Sequence, residues 1–252
     1  MIHLSGPGSR RPVATRHGLA RVLSKHGVCS RREAALWITA GRVAVDGRIV
    51  RDPEFPIAGE VPIAVDGESL ALAPRVYLAL NKPRGLVTTT SDEQGRETVY
   101  HCLRDAGLPW VAPVGRLDKA SEGLLLMSND PAWGACITDP AHGPDKTYHV
   151  QVDRIPDPAT LVALVRGVSA AGEVLAAKSV DLLRWGQRNA WLEIVLDEGR
   201  NRQIRRLLQA FDIGVLRLVR VAIGDVRLGE LPKGGWRHLS PAEVDALAVP
   251  RR

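Results

Sequence analysis

Gly115-Arg116-Leu117-Asp118-Lys119-Ala120-Ser121-Glu122-Gly123-Leu124-Leu125-Leu126 sets a single carboxylate between a glycine-hinged loop and a strongly apolar run. The run Leu124–Ser128 reads as a buried strand. Pro113 and Gly115 before Asp118, and Ser121 and Gly123 after it, are loop formers. A carboxylate carried on a loop against a rigid sheet is placed as a nucleophile or general base, although an Asp in a turn also serves as a local cap. Working outward from this strand, short β-like runs dominate the chain from residue 76. They cover Val76–Leu80, Leu86–Thr90, Val111–Val114, Tyr148–Val152, Ser179–Leu183, Trp191–Leu196 and Leu216–Ile223. Few helices interrupt them. One is expected from Asp157-Pro158 to Arg166, stopping at Gly167. A second runs from Asn201 through Gln209, and a third follows the capping box Ser240-Pro241-Ala242-Glu243. This alternation predicts an α+β domain with a mixed, mainly antiparallel sheet rather than a doubly wound one.

The N-terminal part has a different character. Residues 1–48 carry nine Lys and Arg against Glu33 and Asp46, an excess of +7, which leaves −1 for the remainder of a chain whose net charge is +6. A basic excess confined to one end is the footprint of a module that binds a polyanion. Residues 1–16, rich in Gly, Pro, Ser and Arg, read as a disordered basic arm. Leu19, Val22 and Leu23 fall at helical spacing. Ser30-Arg31-Arg32-Glu33 is a capping box opening a second helix with Ala34, Trp37 and Ile38 inward and an end at Gly41. Val43–Val50 reads as a hairpin about Asp46-Gly47. Lys25, Arg31, Arg32, Arg42 and Arg48 lie on its outside. Four prolines and a second Asp-Gly turn, Asp66-Gly67, lead to a linker near Pro74-Arg75. The domains are thus an arm, residues 1–16, an αα-hairpin module with its linker, 17–74, and a larger domain, 75–252.

Three further stretches accompany Asp118. Glu198-Gly199-Arg200-Asn201-Arg202-Gln203-Ile204-Arg205-Arg206-Leu207 places four arginines in seven residues after a glycine. If helical, 201 and 205 share one face, 202 and 206 another, and Ile204, Leu207 and Leu208 face the core. Such arginines clamp phosphates or pair with a carboxylate, and a solvated helix face is the plain alternative. Lys146-Thr147-Tyr148-His149-Val150 puts Tyr148 and Val150 on one side of a strand. Asn81-Lys82-Pro83-Arg84-Gly85 reads as a turn between strands.

Several classes are excluded. Cys29, Cys102 and Cys136 are scattered and odd in number, which speaks against a disulfide framework or a structural zinc and fits a cytoplasmic protein. The histidines show no metal-ligand spacing, so no metal is expected. There is no phosphate-binding Gly-x-x-x-x-Gly-Lys loop and no Gly-x-Gly-x-x-Gly after a strand, which argues against nucleotide hydrolysis and methyl transfer. Catalysis here would run without a cofactor. Residues 1–16 hold no apolar run suited to a signal peptide, and no run reaches the length of a membrane span, so no membrane association is expected.

Taken together these residues resemble the bacterial ribosomal-RNA pseudouridine synthases of the RsuA branch. Leu19–Val50 looks like the alpha-L RNA-binding module shared with small-subunit ribosomal protein four. Residues 76 to about 240 are similar to the synthase domain in four ordered motifs, Asn81-Lys82-Pro83, Gly115-Arg116-Leu117-Asp118, Lys146-Thr147-Tyr148 and Gly199-Arg200-Asn201-Arg202-Gln203-Ile204-Arg205-Arg206. Ser121 stands where threonine is common, and Pro131 where glycine is. The resemblance implies that Asp118 is the essential aspartate, that Arg116 enters the RNA stack as the target leaves it, and that Tyr148 stacks on the uracil and takes part in proton transfer. It implies that Arg205 pairs with the aspartate and Ile204 packs beside the base. Arg200, Arg202 and Lys82, with Lys25, Arg31, Arg32 and Arg42 of the N-terminal module, are then RNA contacts. The implied partner is ribosomal RNA or a subunit precursor, with 23S-type RNA favoured over 16S-type, and a monomer is the expected state. A non-catalytic ribosome-assembly protein and a synthase acting on transfer RNA are the alternatives.

Overall fold

The computed structural model describes residues 17–25, 27–58, 61–70, 74–89, 92, 94–170 and 172–249; the expected basic arm, 1–16, lies outside them. The chain divides into two compact units, Met1–Ala73 and Pro74–Arg252.

In the first unit α1 (Leu19–Lys25) and α2 (Arg31–Thr39) bury Leu19, Leu23, Ala34 and Ile38 together. The capping box is formed: the Ser30 hydroxyl accepts from the Glu33 N–H at 3.2 Å, and the Glu33 carboxylate accepts from the Ser30 N–H at 3.1 Å. A four-stranded antiparallel sheet follows, from β1 (Val43–Val45), β2 (Arg48–Ile49), β3 (Ile63–Val65) and β4 (Glu68–Ser69), in the order β2-β1-β3-β4. Both of its Asp-Gly turns have left-handed φ at the two central positions, 48° and 75° at Asp46-Gly47 and 52° and 85° at Asp66-Gly67. That is the two-residue hairpin geometry such pairs favour.

The second unit is built on one nine-stranded sheet. Its main strands are β5 (Tyr77–Lys82), β6 (Ala112–Val114), β7 (Glu122–Ser128), β8 (Lys146–Val152), β9 (Ser179–Trp185), β10 (Ala190–Leu196), β11 (Val215–Ile223) and β12 (Trp236–His238). The order is β9-β10-β8-β11-β7-β5-β12, with β6 on β7 and Val226–Arg227 folded back on β11. Every pairing is antiparallel except β11 on β7, which meet in parallel at Val219 with Glu122 and Arg220 with Gly123. Gly123 has φ +102°, and a Cβ there would stand 2.3 Å from the Arg220 carbonyl oxygen. Only glycine permits that approach.

Helices α3 (Pro131–Thr138), α4 (Pro158–Arg166), α5 (Gln203–Gln209) and α6 (Pro241–Ala248) cover the sheet. Caps at Asp157 and Ser240 form as the sequence predicts. Helix α3 was not read from the sequence, though Asp130 caps it, accepting from the Ala132 and Trp133 N–H groups, and Pro131 occupies its first turn. A core of Leu78, Leu80, Leu125, Met127, Val150 and Leu192 lies on one sheet face with α4 and α5. Leu124, Leu126, Trp133 and Leu247 pack on the other with α3 and α6.

Three expectations need correction. Among the described residues Leu86–Thr89 form no strand; Val87 makes a lone bridge to Thr98, and Val87 spends its peptide groups on Glu97 and Val99. Asn81-Lys82 are not a turn but the end of β5, because their partners Leu124 and Gly123 extend the ladder through them. Helix α5 starts at Gln203, since Arg202 is left-handed at φ 49°. Asn201 and Arg202 therefore share no helical face with Arg205 and Arg206.

Candidate active site

The Asp118 loop leaves β6 through Gly115, φ +74°, and re-enters the sheet at Glu122. Buried Leu117 anchors it from below. Its backbone is tied down on every side. The Thr88 hydroxyl donates to the Leu117 carbonyl at 2.7 Å and accepts from the Leu117 N–H at 3.3 Å. The Gly85 N–H donates to the Lys119 carbonyl at 2.8 Å, and the Ser121 N–H to the Asp118 carbonyl at 2.9 Å.

Beneath the loop lies Lys82, with no exposed surface. Its Nζ donates to the carbonyls of Ser121 at 2.8 Å, Pro83 at 3.1 Å and Asp118 at 3.2 Å. Three donors thus meet three acceptors, which is how a buried ammonium is tolerated. The RNA contact expected of Lys82 is ruled out by this burial; it holds the loop. Burial lowers the Lys82 pKa to about 8, against an opposing pull from Asp118. Above that pH a neutral amine has two N–H donors for three carbonyls, so a falling limb in the rate near pH 8 is expected. Lys82→Met, which strands the carbonyls, should lose about 2–4 kcal/mol in urea unfolding. An unchanged midpoint would show that water takes over the lysine's role.

Thr88→Val keeps shape and removes both hydroxyl bonds. We expect about 1 kcal/mol less stability and a turnover about tenfold slower from a looser loop, with RNA affinity unchanged. Equal turnover in steady-state assays would mean that the loop is held well enough without Thr88. The bland β-run Leu86–Thr90 gave no hint of this hydroxyl.

The Asp118 carboxylate is 33% exposed, and the cation nearest to it is Arg202, Nη1 to Oδ2 3.9 Å. The expected pair with Arg205 is not made. Arg205 sends Nη2 to the Ala120 carbonyl at 3.3 Å and Nη1 to the Val215 carbonyl at 3.4 Å, while its Nε is buried without a partner among the described residues. The left-handed turn at Arg202 explains the exchange, because it brings that residue rather than Arg205 to the carboxylate. Burial, and then Arg202, lower the Arg205 pKa, with Asp118 acting in the opposite direction.

A cavity of about 700 Å³ opens over this loop. Asp118, Arg116, Tyr148, Ile204 and Arg205 line it, as do Arg200 and Arg202. Tyr148 stands on β8 with Val150 on the same buried face, as its alternation predicts, and Ile204 is buried on α5. Arg116 is exposed. Arg200 is turned back on its own unit, bonded to Glu198 at 2.8 Å and to the Val174 carbonyl at 3.0 Å. The sequence reading missed Arg220, an inward-facing residue of β11 that also lines the cavity. Its signal was a cation at the apolar phase of Leu218-Val219-Arg220-Val221-Ala222.

In the first unit Arg31, Arg32 and Arg42 are exposed and Lys25 half-buried. Arg31 pairs with Glu54 at 2.9 Å, and Arg42 grips Asp66 through two nitrogens while lying 5.0 Å from the Trp37 ring centre.

The RNA pseudouridylate synthase family model matches residues 76–210, the stretch that carries the Asp118 loop, Tyr148 and the arginines of α5. The chain belongs to the RNA pseudouridylate synthase family. The S4 domain model matches residues 18–62, so both halves of the resemblance hold. This synthase is 36% identical over 230 residues to an uncharacterized RNA pseudouridine synthase of Aquifex aeolicus, covering 90% of this chain and 92% of that one. It is 36% identical over 237 residues to the ribosomal large subunit pseudouridine synthase B of Escherichia coli K12, covering 91% and 81%. A crystal structure of a pseudouridylate synthase superposes with TM-score 0.65 at 29% identity, covering 92% of this chain and 99% of that one. The protein is an enzyme, an isomerase of RNA uridine, and its α+β fold is that of the family.

Proposed function

We propose that this synthase converts a uridine of ribosomal RNA to pseudouridine, with large-subunit RNA the substrate and Asp118 the reacting carboxylate. The observation that carries the reading is a braced loop presenting a part-exposed carboxylate to a cavity walled by Tyr148 and Ile204. The names of the Escherichia coli relatives support the large-subunit target.

The reaction breaks the bond from ribose C1′ to uracil N1, turns the base, and joins C1′ to C5. The C5 proton leaves and N1 takes one up, so nothing is oxidised and no cofactor is required. The target base must leave its stack to enter the cavity, at a cost of a few kcal/mol. Arg116, exposed at the rim, fills the gap it leaves. Tyr148 gives the base a stacking face worth about 1–3 kcal/mol, and Ile204 an apolar wall. Arg202 stands as the counter-ion of Asp118 at 3.9 Å, and Arg205 fixes the loop from behind through the Ala120 carbonyl. The basic face of the S4 domain, with Lys25, Arg31, Arg32 and Arg42, adds phosphate contacts that position without reading the base.

The test uses 23S-type and 16S-type transcripts labelled with tritium at uridine C5. Label should enter water from the 23S-type RNA and not from the 16S-type. Release from 16S-type or transfer RNA alone would overturn the large-subunit assignment.

A further inference from the structure

Arg220 is 5% exposed in the middle of β11, on the side of Leu218 and Ala222. In register it faces Tyr148 on β8 and Gly123 on β7. It therefore stands between the strand that presents Tyr148 and the strand that receives the Asp118 loop. Its Nε donates to the Leu124 carbonyl at 2.7 Å, and its Nη2 is buried with no hydrogen-bond partner among the described residues. The side chain lines the cavity that holds Asp118. The buried carboxylate beside it, Glu122, is taken by Arg217 and Lys233, the latter at 3.1 Å.

A buried guanidinium with an unspent donor and no anionic partner is costly. The bond to Leu124 gives Nε a structural use, but it needs no charge, and Leu218 and Ala222 fill the same face with apolar groups. A charge that exists only during the reaction would supply the missing partner. When the C1′–N1 bond breaks heterolytically, its electron pair stays with N1, and the charge spreads to the two ring carbonyl oxygens of uracil. A preorganised donor placed where such charge develops is among the strongest devices an active site has. We propose that Arg220 is a catalytic residue, donating to a uracil carbonyl oxygen and stabilising the base while it is detached from C1′. The pair on N1 is released when C5 attacks C1′, the C5 proton leaves, and N1 is protonated. This role rests on the cavity being the uridine site.

The experiment measures single-turnover tritium release, RNA affinity and thermal melting for wild type, Arg220→Gln, Arg220→Lys and Arg220→Ala. Arg220→Gln keeps a donor for Leu124 and loses the charge. It should melt cooperatively, bind RNA within about threefold of wild type, and react about 100-fold more slowly. Arg220→Lys should recover about tenfold of that loss, and millimolar guanidinium should accelerate Arg220→Ala but neither wild type nor Asp118→Asn. If Arg220 were only a pin between strands, folded Arg220→Gln would react at the wild-type rate and added guanidinium would do nothing. Either result overturns the proposal, and should Arg220→Gln fail to fold, the lysine variant and its rate decide. Label release by wild type separates these outcomes from failure of the uridine-site reading, in which wild type itself releases none.

Discussion

Asp118→Asn is expected to slow tritium release by about a thousandfold or more, within the range that a lost acid, base or nucleophile costs, and to leave the melting temperature nearly unchanged. The asymmetry follows from how the residue is held. The loop is fastened through the main-chain carbonyl of Asp118, which accepts from Lys82 at 3.2 Å and from Ser121 at 2.9 Å. Among the described residues the carboxylate makes one ion pair, the distant one with Arg202 at 3.9 Å. An amide of the same shape therefore keeps the loop and removes its charge. A variant with a tenth of the wild-type rate or better would take Asp118 out of the chemistry.

Gly123→Ala is expected to destabilise the fold by about 4 kcal/mol or more, a size reserved for changes that a structure cannot absorb. The new Cβ would meet the Arg220 carbonyl oxygen at 2.3 Å and its nitrogen at 2.8 Å. Both atoms belong to the backbone of β11 and cannot rotate away. Gly85→Ala separates the clash from the conformational cost. Gly85 has φ +103° but no atom within 4 Å of the added Cβ, so its loss should be limited to about 1–3 kcal/mol of strain. Urea unfolding of the two variants gives the comparison. Similar midpoints would mean that β7 and β11 separate easily at this point. Because Arg220 and the Asp118 loop sit on either side of Gly123, activity should vanish with the fold in Gly123→Ala.

The features read correctly from the sequence are those fixed by neighbours in the chain. Ser30, Asp157 and Ser240 cap helices because a side-chain oxygen and a backbone N–H two or three residues on are enough. The Asp-Gly turns form for an equally local reason. Strand alternation placed Tyr148 inward. The errors come from partners far away. Lys82 looks like a surface turn residue because of its charge and Pro83, and two of the three carbonyls that make its burial possible, those of Asp118 and Ser121, lie 36 and 39 residues on. Arg205 is paired with Asp118 by the resemblance, and a left-handed residue just before α5 brings Arg202 to the carboxylate instead. Thr88 and Arg220 were missed because each owes its meaning to a strand or loop that the sequence does not place beside it.

The order of strands has a consequence for how the molecule is made. β11 lies between β8 and β7, yet it is translated after both. Until residue 223 has left the ribosome, β9-β10-β8 and β7-β5 are separate sheets, each with an unpaired edge where β11 will dock. Such edges invite pairing with other chains. A nascent chain stalled before β11 should thus be aggregation-prone and inactive, since Arg220 and one wall of the cavity arrive with the strand that joins the two halves.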